Sequence, residues 1–249
     1  MKNDDFVKIY GRNPVEESLS ADPSSVEKIF IRKSLKVSSY FDIRRLAKDN
    51  SIPLVLVPEE KIFSLVGDVN DQGIVALISP VQYLDYYEWA ESLHINDATG
   101  VLLLQGIEDP HNFGAILRTA AAAGMDAVIV PTQHQSPITP AVMKSSAGTA
   151  GKIPIIRVHD LNQALKDLSL TGFSVHALDG KGSETIWETG INGPSAFLIG
   201  NEGKGIPDDI LKKCTSVISI PMSNEVESLN ASVSASVVCF EWRRRHTVQ

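Results

Sequence analysis

Three segments of the chain gather residue types that can do chemistry. The first, Gln105 to Arg118, reads QGIEDPHNFGAILR. Pro110 and Gly114 punctuate a loop that feeds a helix, with Asn112 just ahead of Gly114 and Arg118 near the helix's second turn. Asparagine at such a place is either a helix N-cap or a polar ligand group. Arg118 has Ile116, Leu117, Ala120 and Ala121 around it. An arginine in apolar company points at a phosphate or carboxylate, which its planar fork matches. The second segment, Leu198 to Pro207, reads LIGNEGKGIP and places Gly200, Gly203 and Gly205 directly after an apolar run. Glycines let a ligand approach the backbone closely. The order is G-x-x-G-x-G rather than G-x-G-x-x-G, and Lys204 is followed by Gly205 instead of Ser or Thr, so neither a dinucleotide fingerprint nor a Walker loop is present. Glu202 would repel a phosphate and suits a positively charged ligand. The third segment, Ile220 to Ser236, reads IPMSNEVESLNASVSAS. Pro221 ends a strand, Ser228 or Asn230 can cap the last helix, and Ala231, Ser232, Ser234, Ala235 and Ser236 leave room for another backbone to come close.

Each segment follows or precedes an element that must hold it. From about residue 100 onward, apolar runs at Val101 to Leu104, Ala127 to Val130, Ile153 to Arg157, Phe173 to Leu178, Ala196 to Ile199 and Ser216 to Ile220 read as strands. Helical patterns separate them: Gly114 to Ala123 with Gly124 as its stop, Pro140 to Ser146, Asp160 to Leu168, Pro207 to Lys213, and Asn230 to Arg245. Strands alternating with helices predict a parallel sheet covered on both faces. In such sheets ligands bind beyond the carboxyl ends of the strands, where these segments fall. Upstream, from about Lys8 to Pro80, short runs (Lys28 to Ile31, Leu54 to Val57, Ile74 to Ile78) alternate with helical patterns (Asn13 to Ser20, Ser38 to Asp49, Glu59 to Leu65) and read as a small α/β sandwich. Val81 to Gly100, with Tyr83, Tyr86, Tyr87 and Trp89, reads as a linker with a helical turn or two. Its aromatics pack on a domain surface or stack on bases.

Composition narrows the function. A formal net charge of −7 argues against a dedicated nucleic-acid binder, yet Lys28, Arg32, Lys33, Lys36, Arg44, Arg45 and Lys48 stand against the single acid Asp42 between Lys28 and Lys48. The bland reading of that segment is a solvated helix face. Cys214 and Cys239, isolated from each other, imply buried thiols in a reducing compartment. Scattered histidines and the absence of a CxxC pair make a zinc site improbable. The apolar runs are far shorter than the roughly 20 residues of a membrane span, and the N-terminus has no apolar signal region.

The three segments, N-F-G-A-I-L-R-T-A at 112 to 120, L-I-G-N-E-G-K-G-I at 198 to 206 and I-P-M-S-N-E-V-E-S-L-N-A-S-V at 220 to 233, resemble the three motifs of the SpoU (TrmH-like) branch of RNA ribose methyltransferases. Y-G-R-N-P-V at 10 to 15 and Q-G-I-V-A at 72 to 76 are similar to the family's smaller, ribosomal-protein-like substrate-binding domain. The architecture is closest to the bacterial 23S rRNA guanosine-2′-O-methyltransferases.

The resemblance implies a small N-terminal α/β substrate-binding domain at 1–80, a linker at 81–99, and a trefoil-knotted, parallel-sheet α/β methyltransferase domain at 100–249. It implies S-adenosyl-L-methionine as donor, held largely by main-chain groups at Gly200, Ile220 and Leu229. Arg118, Asn112, Glu202, Ser228 and Asn230 become the catalytic set. A guanidinium is a permanent cation and a poor base, so fixing the RNA and stabilising charge on the ribose oxygen suit Arg118 better than proton abstraction. The partners implied are RNA, foremost 23S rRNA, and a second copy of the chain in a homodimer that completes the site across its interface. Neither a metal nor a membrane is implied, and the cytoplasm is the expected compartment. A tRNA substrate, or a non-catalytic RNA-binding or assembly protein of the same fold, are the alternatives. Five intact site residues favour an enzyme over the latter.

Overall fold

The structure is a computed structural model and describes residues 6–201, 203, 205–223 and 228–246. It divides into two compact units, Met1–Tyr83 with Pro137–Pro140, and Leu84–Ser136 with Ala141–Gln249.

The first unit runs β1 (Val7–Tyr10), α1 (Arg12–Ala21), β2 (Val26–Arg32), α2 (Phe41–Asp49), β3 (Leu54–Val57), α3 (Glu59–Val66) and β4 (Ile74–Ile78). Its sheet has the order β1-β4-β2-β3. β4 is antiparallel to both of its neighbours, and β2 and β3 are parallel. Alternation along β2 sends Ile29 and Ile31 to one face and Phe30 to the other. Ile29 and Ile31 pack with Val15 and Leu19 of α1 and with Ile43 and Ala47 of α2. Phe30 packs with Val75, Leu77, Ile62 and Leu65. Both faces are therefore covered, as the upstream α/β pattern predicts. β1 is the addition: it is a short edge strand with both ends exposed, and it shows no apolar run to read.

The rest of the chain supplies α4 (Tyr86–Ser92), β5 (Gly100–Gln105), α5 (Pro110–Ala123), β6 (Ala127–Pro131), α6 (Pro140–Ser145), β7 (Ile155–Val158), α7 (Leu161–Leu170), β8 (Ser174–Leu178), β9 (Glu184–Thr185), β10 (Ser195–Gly200), α8 (Asp208–Leu211), β11 (Ser216–Ser219) and α9 (Ala231–His246). Among the described residues its strands form one sheet in the order β7-β6-β5-β10-β8-β11-β9, parallel throughout. Val101, Leu103, Ala127, Ile129, Val175, Ala177, Ala196 and Leu198 face α4, α7 and α8 in one core. Their neighbours Leu102, Leu104, Val128, Val130, Phe197 and Ile199 point the other way and are as fully buried. The segment read as a linker contributes to the first of these cores. Tyr86 and Trp89 of α4 are buried in it, and only Tyr87 is left at 62% exposure, so packing rather than base stacking accounts for most of its aromatics.

α5 begins earlier than its sequence suggests. Asp109 caps it, accepting a hydrogen bond from the His111 N–H at 2.9 Å, and Pro110 takes the first helical position, where its missing N–H costs nothing. Asn112 is therefore inside the first turn and is not the N-cap. Gly114 is mid-helix: a Cβ there would lie 2.7 Å from the Val142 carbonyl oxygen and 2.9 Å from the Ser145 Cβ. It serves a close crossing with α6 rather than ending a loop.

α9 packs on α5 and on β10. Its last turns are fastened by charge. Glu241, buried, accepts from Arg244 Nε at 2.8 Å and from Arg245 Nε at 2.6 Å, while the Arg245 guanidinium donates to the carbonyls of Ile186, Trp187 and Thr189. The Arg244 hydrogen bond holds the Glu241 carboxyl below the ordinary glutamate range. Burial opposes that shift, and the Arg245 bonds add to it. A depressed carboxylate stabilises the fold above its unfolded value of about 4.3, and the contribution disappears as pH falls through the folded value. Glu241→Gln is expected to lower unfolding free energy by about 2 kcal/mol at pH 7, the scale of hydrogen bonds to charged groups. The difference from wild type should shrink on approaching pH 4. Urea titrations at the two pH values check this, and equal midpoints at pH 7 would refute it.

Candidate active site

β5, β10, β8 and β11 are consecutive neighbours in the parallel sheet, so the loops leaving their carboxyl ends converge on one edge. The loop after β10 folds back on its own strand. Gly205 N–H donates to the Asn201 carbonyl at 2.8 Å, and the Asn201 Oδ1 accepts from Gly203 N–H at 2.9 Å. A Cβ on Gly200 would come within 2.8 Å of both the Gly205 carbonyl carbon and Ile206 Cγ1, so only glycine fits beneath this turn. Asn201 also crosses to the neighbouring loop, its Nδ2 donating to the Gly106 carbonyl at 2.6 Å. One side chain thus ties the first sequence segment to the second. Beside it, at the end of β5, the Gln105 Oε1 is buried without a hydrogen-bond partner among the described residues.

The third segment reaches the first through helix capping. Asn230 Oδ1 accepts from Ser232 N–H at 2.9 Å and from the Ser232 hydroxyl at 2.6 Å, making Asn230 rather than Ser228 the cap of α9. Its Nδ2 donates to Asn112 Oδ1 at 3.0 Å. Two helical turns on, Thr119 Oγ1 lies 3.2 Å from Ser236 Oγ. Asn112 and Thr119, seven positions apart, are on one stripe of α5, and that stripe is the α5–α9 seam. The small-residue stretch of α9 lies along this seam, with Ala231 and Ala235 buried.

The remaining members of the set fall as follows. Arg118 is exposed on α5, next to Thr119 on the seam. Its apolar sequence neighbours Ile116, Leu117 and Ala120 are buried in the core, so they describe the opposite face of the helix and not the surroundings of the guanidinium. Ser228 is exposed, and Gly200, Ile220 and Leu229 are half-buried. Glu202 lies outside the described residues. The structure therefore brings Asn112 and Asn230 into contact and sets Gly200 under the β10 turn.

Two further residues of the site are not marked in the sequence by a motif of their own. Asn201 was visible only as part of a glycine-rich string. Asp179 follows β8, between the ends of β10 and β11 in the sheet. Its Oδ1 accepts from Lys181 N–H at 2.9 Å, and its Oδ2 lies 3.9 Å from where a Cβ on Gly205 would be. An Asp-Gly step directly after an apolar strand is the signal that could have found it. A carboxylate beside this glycine turn suits a cationic ligand better than a phosphate. The cradle over Gly200 and the orphaned Gln105 oxygen fit S-adenosylmethionine, an elongated cation rich in hydrogen-bonding groups.

Comparison with known proteins gives the family. Residues 99–240 match the family model described as the SpoU rRNA Methylase family, and residues 8–84 match RNA 2′-O ribose methyltransferase substrate binding. A protein of Staphylococcus haemolyticus named as a TrmH family tRNA/rRNA methyltransferase is 34% identical over 244 residues, covering 97% of each chain. One of the same name from Staphylococcus saprophyticus is 36% identical over 244 residues, with the same coverage. Among solved structures, an AdoMet-bound rRNA methyltransferase from Sinorhizobium meliloti aligns with a TM-score of 0.62 at 20% identity, over 99% of this chain and 90% of that one. The SpoU methyltransferase AviRb from Streptomyces viridochromogenes, in complex with AdoMet, aligns with a TM-score of 0.60 at 21% identity, over 96% and 90%.

Proposed function

The chain belongs to the SpoU rRNA methylase family of RNA methyltransferases, and on that premise we propose that it methylates the 2′-hydroxyl of a guanosine ribose in 23S rRNA. S-adenosylmethionine is the donor. The observation that carries the reading is the turn folded over Gly200 and tied by Asn201 to Gly106, beside the buried Gln105 oxygen that has no hydrogen-bond partner among the described residues.

In this reading Gly200, Ile220 and Leu229 hold the donor through main-chain groups. When bound, it supplies an activated methyl group on a sulfonium. The Asn112–Asn230 pair keeps the first and third loops in register, and Glu202 and Ser228 orient the ribose. Arg118 clamps the RNA and stabilises negative charge on the ribose oxygen. Much of the rate comes from alignment.

Arg118 is nine residues beyond Asp109, roughly 13 Å along the helix from the cap. A side chain at that distance serves a second chain's cleft more readily than its own. α9 leaves Val233 48% and Phe240 52% exposed, within roughly 60° of Ser236 around the helix. Both features support a homodimer through the α5–α9 seam, with Arg118 completing the partner's site. The return of the chain from β11, near the far edge of the sheet, to α9 on α5 supports the knotted path. Residues 1–80 act as the RNA-binding domain, 81–99 as the connection, and 100–249 as the methyltransferase domain. Among the described residues no helix is long and apolar enough to cross a membrane, and we place the enzyme in the cytoplasm.

The test is mass mapping of 2′-O-methyl groups in ribosomal and transfer RNA from cells with and without the gene. One 23S rRNA guanosine should lose its methyl group. Loss at a tRNA position instead would remove the rRNA assignment and leave the chemistry standing. Unchanged methylation in every RNA would defeat the reading.

A further inference from the structure

α2 buries Ile43 and Ala47 against the first unit's sheet. Its opposite side carries Phe41, Arg44, Arg45 and Lys48, all exposed. At 3.6 residues per turn these four fall within a stripe roughly 100° wide. Phe41 is 59% exposed, so most of its ring contributes little to folding, since apolar area stabilises only when removed from water. Lys33 and Lys36, just before the helix, are exposed as well. Asp42 is engaged, 3.2 Å from Arg45 Nη2 and 3.8 Å from Arg12 Nη2. Arg44 and Lys48 make no ion pair among the described residues, and Asp49 is at the margin of the stripe. A merely solvated helix face has no need of a large aromatic side chain set among cations. This one sets a bare ring among cations in a chain whose net charge is −7.

An aromatic ring flanked by cations has the two parts of a single-strand site: a sequence-tolerant stacking platform and counter-charge for the phosphates on either side. A duplex cannot use the ring, because its bases are already stacked. We propose that the outward face of α2 is an RNA-docking surface on which Phe41 stacks an unpaired base while Arg44, Arg45 and Lys48 neutralise the adjoining phosphates, so that the enzyme takes hold of its substrate at a single-stranded loop or bulge. The inference rests on the reading of the chain as an enzyme acting on RNA.

The full chain should be titrated with a fluorescein-labelled single-stranded RNA of mixed sequence, and with the same strand annealed to its complement, over a range of salt. Wild type is expected to prefer the single strand. Phe41→Ala should lose roughly tenfold in single-strand affinity, the scale of one stacked base, with duplex affinity unchanged, and Phe41→Trp should keep the preference. Replacing Arg44, Arg45 and Lys48 together by Gln should reduce the slope of log K against log salt by about 2, at about 0.7 per phosphate contact on a single strand. All four side chains are exposed, so melting temperatures should match wild type. A Phe41→Ala protein with the wild-type strand preference, or a triple variant with the wild-type salt slope, overturns the proposal. Wild-type methyl transfer is measured alongside. A wild-type chain that neither binds RNA nor transfers methyl groups defeats the parent reading, whereas an active wild type with indifferent variants defeats only the role of α2.

Discussion

Gly200→Ala should weaken donor binding while leaving RNA binding in place. The added methyl group would sit 2.8 Å from the Gly205 carbonyl carbon, 2.8 Å from Ile206 Cγ1 and 3.1 Å from the Gly205 carbonyl oxygen. Ile206 is buried and cannot swing aside. Gly205 is held by its hydrogen bond to the Asn201 carbonyl, and Asn201 by its bond to Gly106. The backbone of the turn must therefore move, and the groups proposed to meet the donor move with it. Overpacking of this kind costs roughly 1–3 kcal/mol. If that falls on the bound state, affinity drops by roughly 10- to 100-fold. Calorimetry with S-adenosylmethionine or its demethylated product, on protein shown to be folded by circular dichroism, measures the loss. RNA affinity should stay at the wild-type value, because the proposed RNA face is on α2. A folded Gly200→Ala protein with wild-type donor affinity would mean that the turn is not the donor's seat.

Elements with a strong period and a marked end are legible in the sequence. Every strand that those periods predict in both units is present, within two residues at each end. In the second unit buried parallel strands read as uninterrupted apolar runs, whereas the half-exposed β3 and the antiparallel β4 are legible as β-branched runs between helical patterns. Elements are hidden where one residue type serves two physical purposes. Gly114 looked like loop punctuation, yet it lies mid-helix because α6 crosses too closely for a Cβ. That misreading also made Asn112 a cap candidate and obscured Asp109. β1 and β9 are an exposed edge strand and a two-residue strand, and neither carries a pattern. The site was legible as a set of loops but not as a set of contacts. The Asn230–Asn112 bond spans 118 positions and the Asn201–Gly106 bond spans 95, and no local periodicity encodes such pairs. For Arg118 the apolar sequence neighbours belong to the opposite face of the helix, because a helix turns its faces every few residues, and the guanidinium is on the exposed side.

Arg118→Ala should abolish most methyl transfer, by roughly 100- to 1,000-fold in turnover, the scale seen when one preorganised charge-stabilising donor is removed from a transition state. Donor affinity should remain within a few-fold of wild type, because the donor is proposed to be held by main-chain groups at Gly200, Ile220 and Leu229. Arg118→Lys separates two roles. A clamp needs the planar fork, so lysine should restore little at any pH. A base would be restored by the more easily deprotonated ammonium, increasingly as pH rises. Little rescue is expected. A sharper test uses both variants together. If Arg118 completes the site of the partner subunit, a mixed dimer of Arg118→Ala and Gly200→Ala chains holds one whole site, with the donor turn from the first chain and the arginine from the second. Random re-association of equal amounts should then recover up to about a quarter of wild-type activity, since about half the dimers are mixed and each has one competent site of two. If Arg118 acts within its own chain, no site in the mixture is whole and activity stays at the level of the separate variants. An Arg118→Ala enzyme with near-normal turnover would remove this residue from the mechanism under either arrangement.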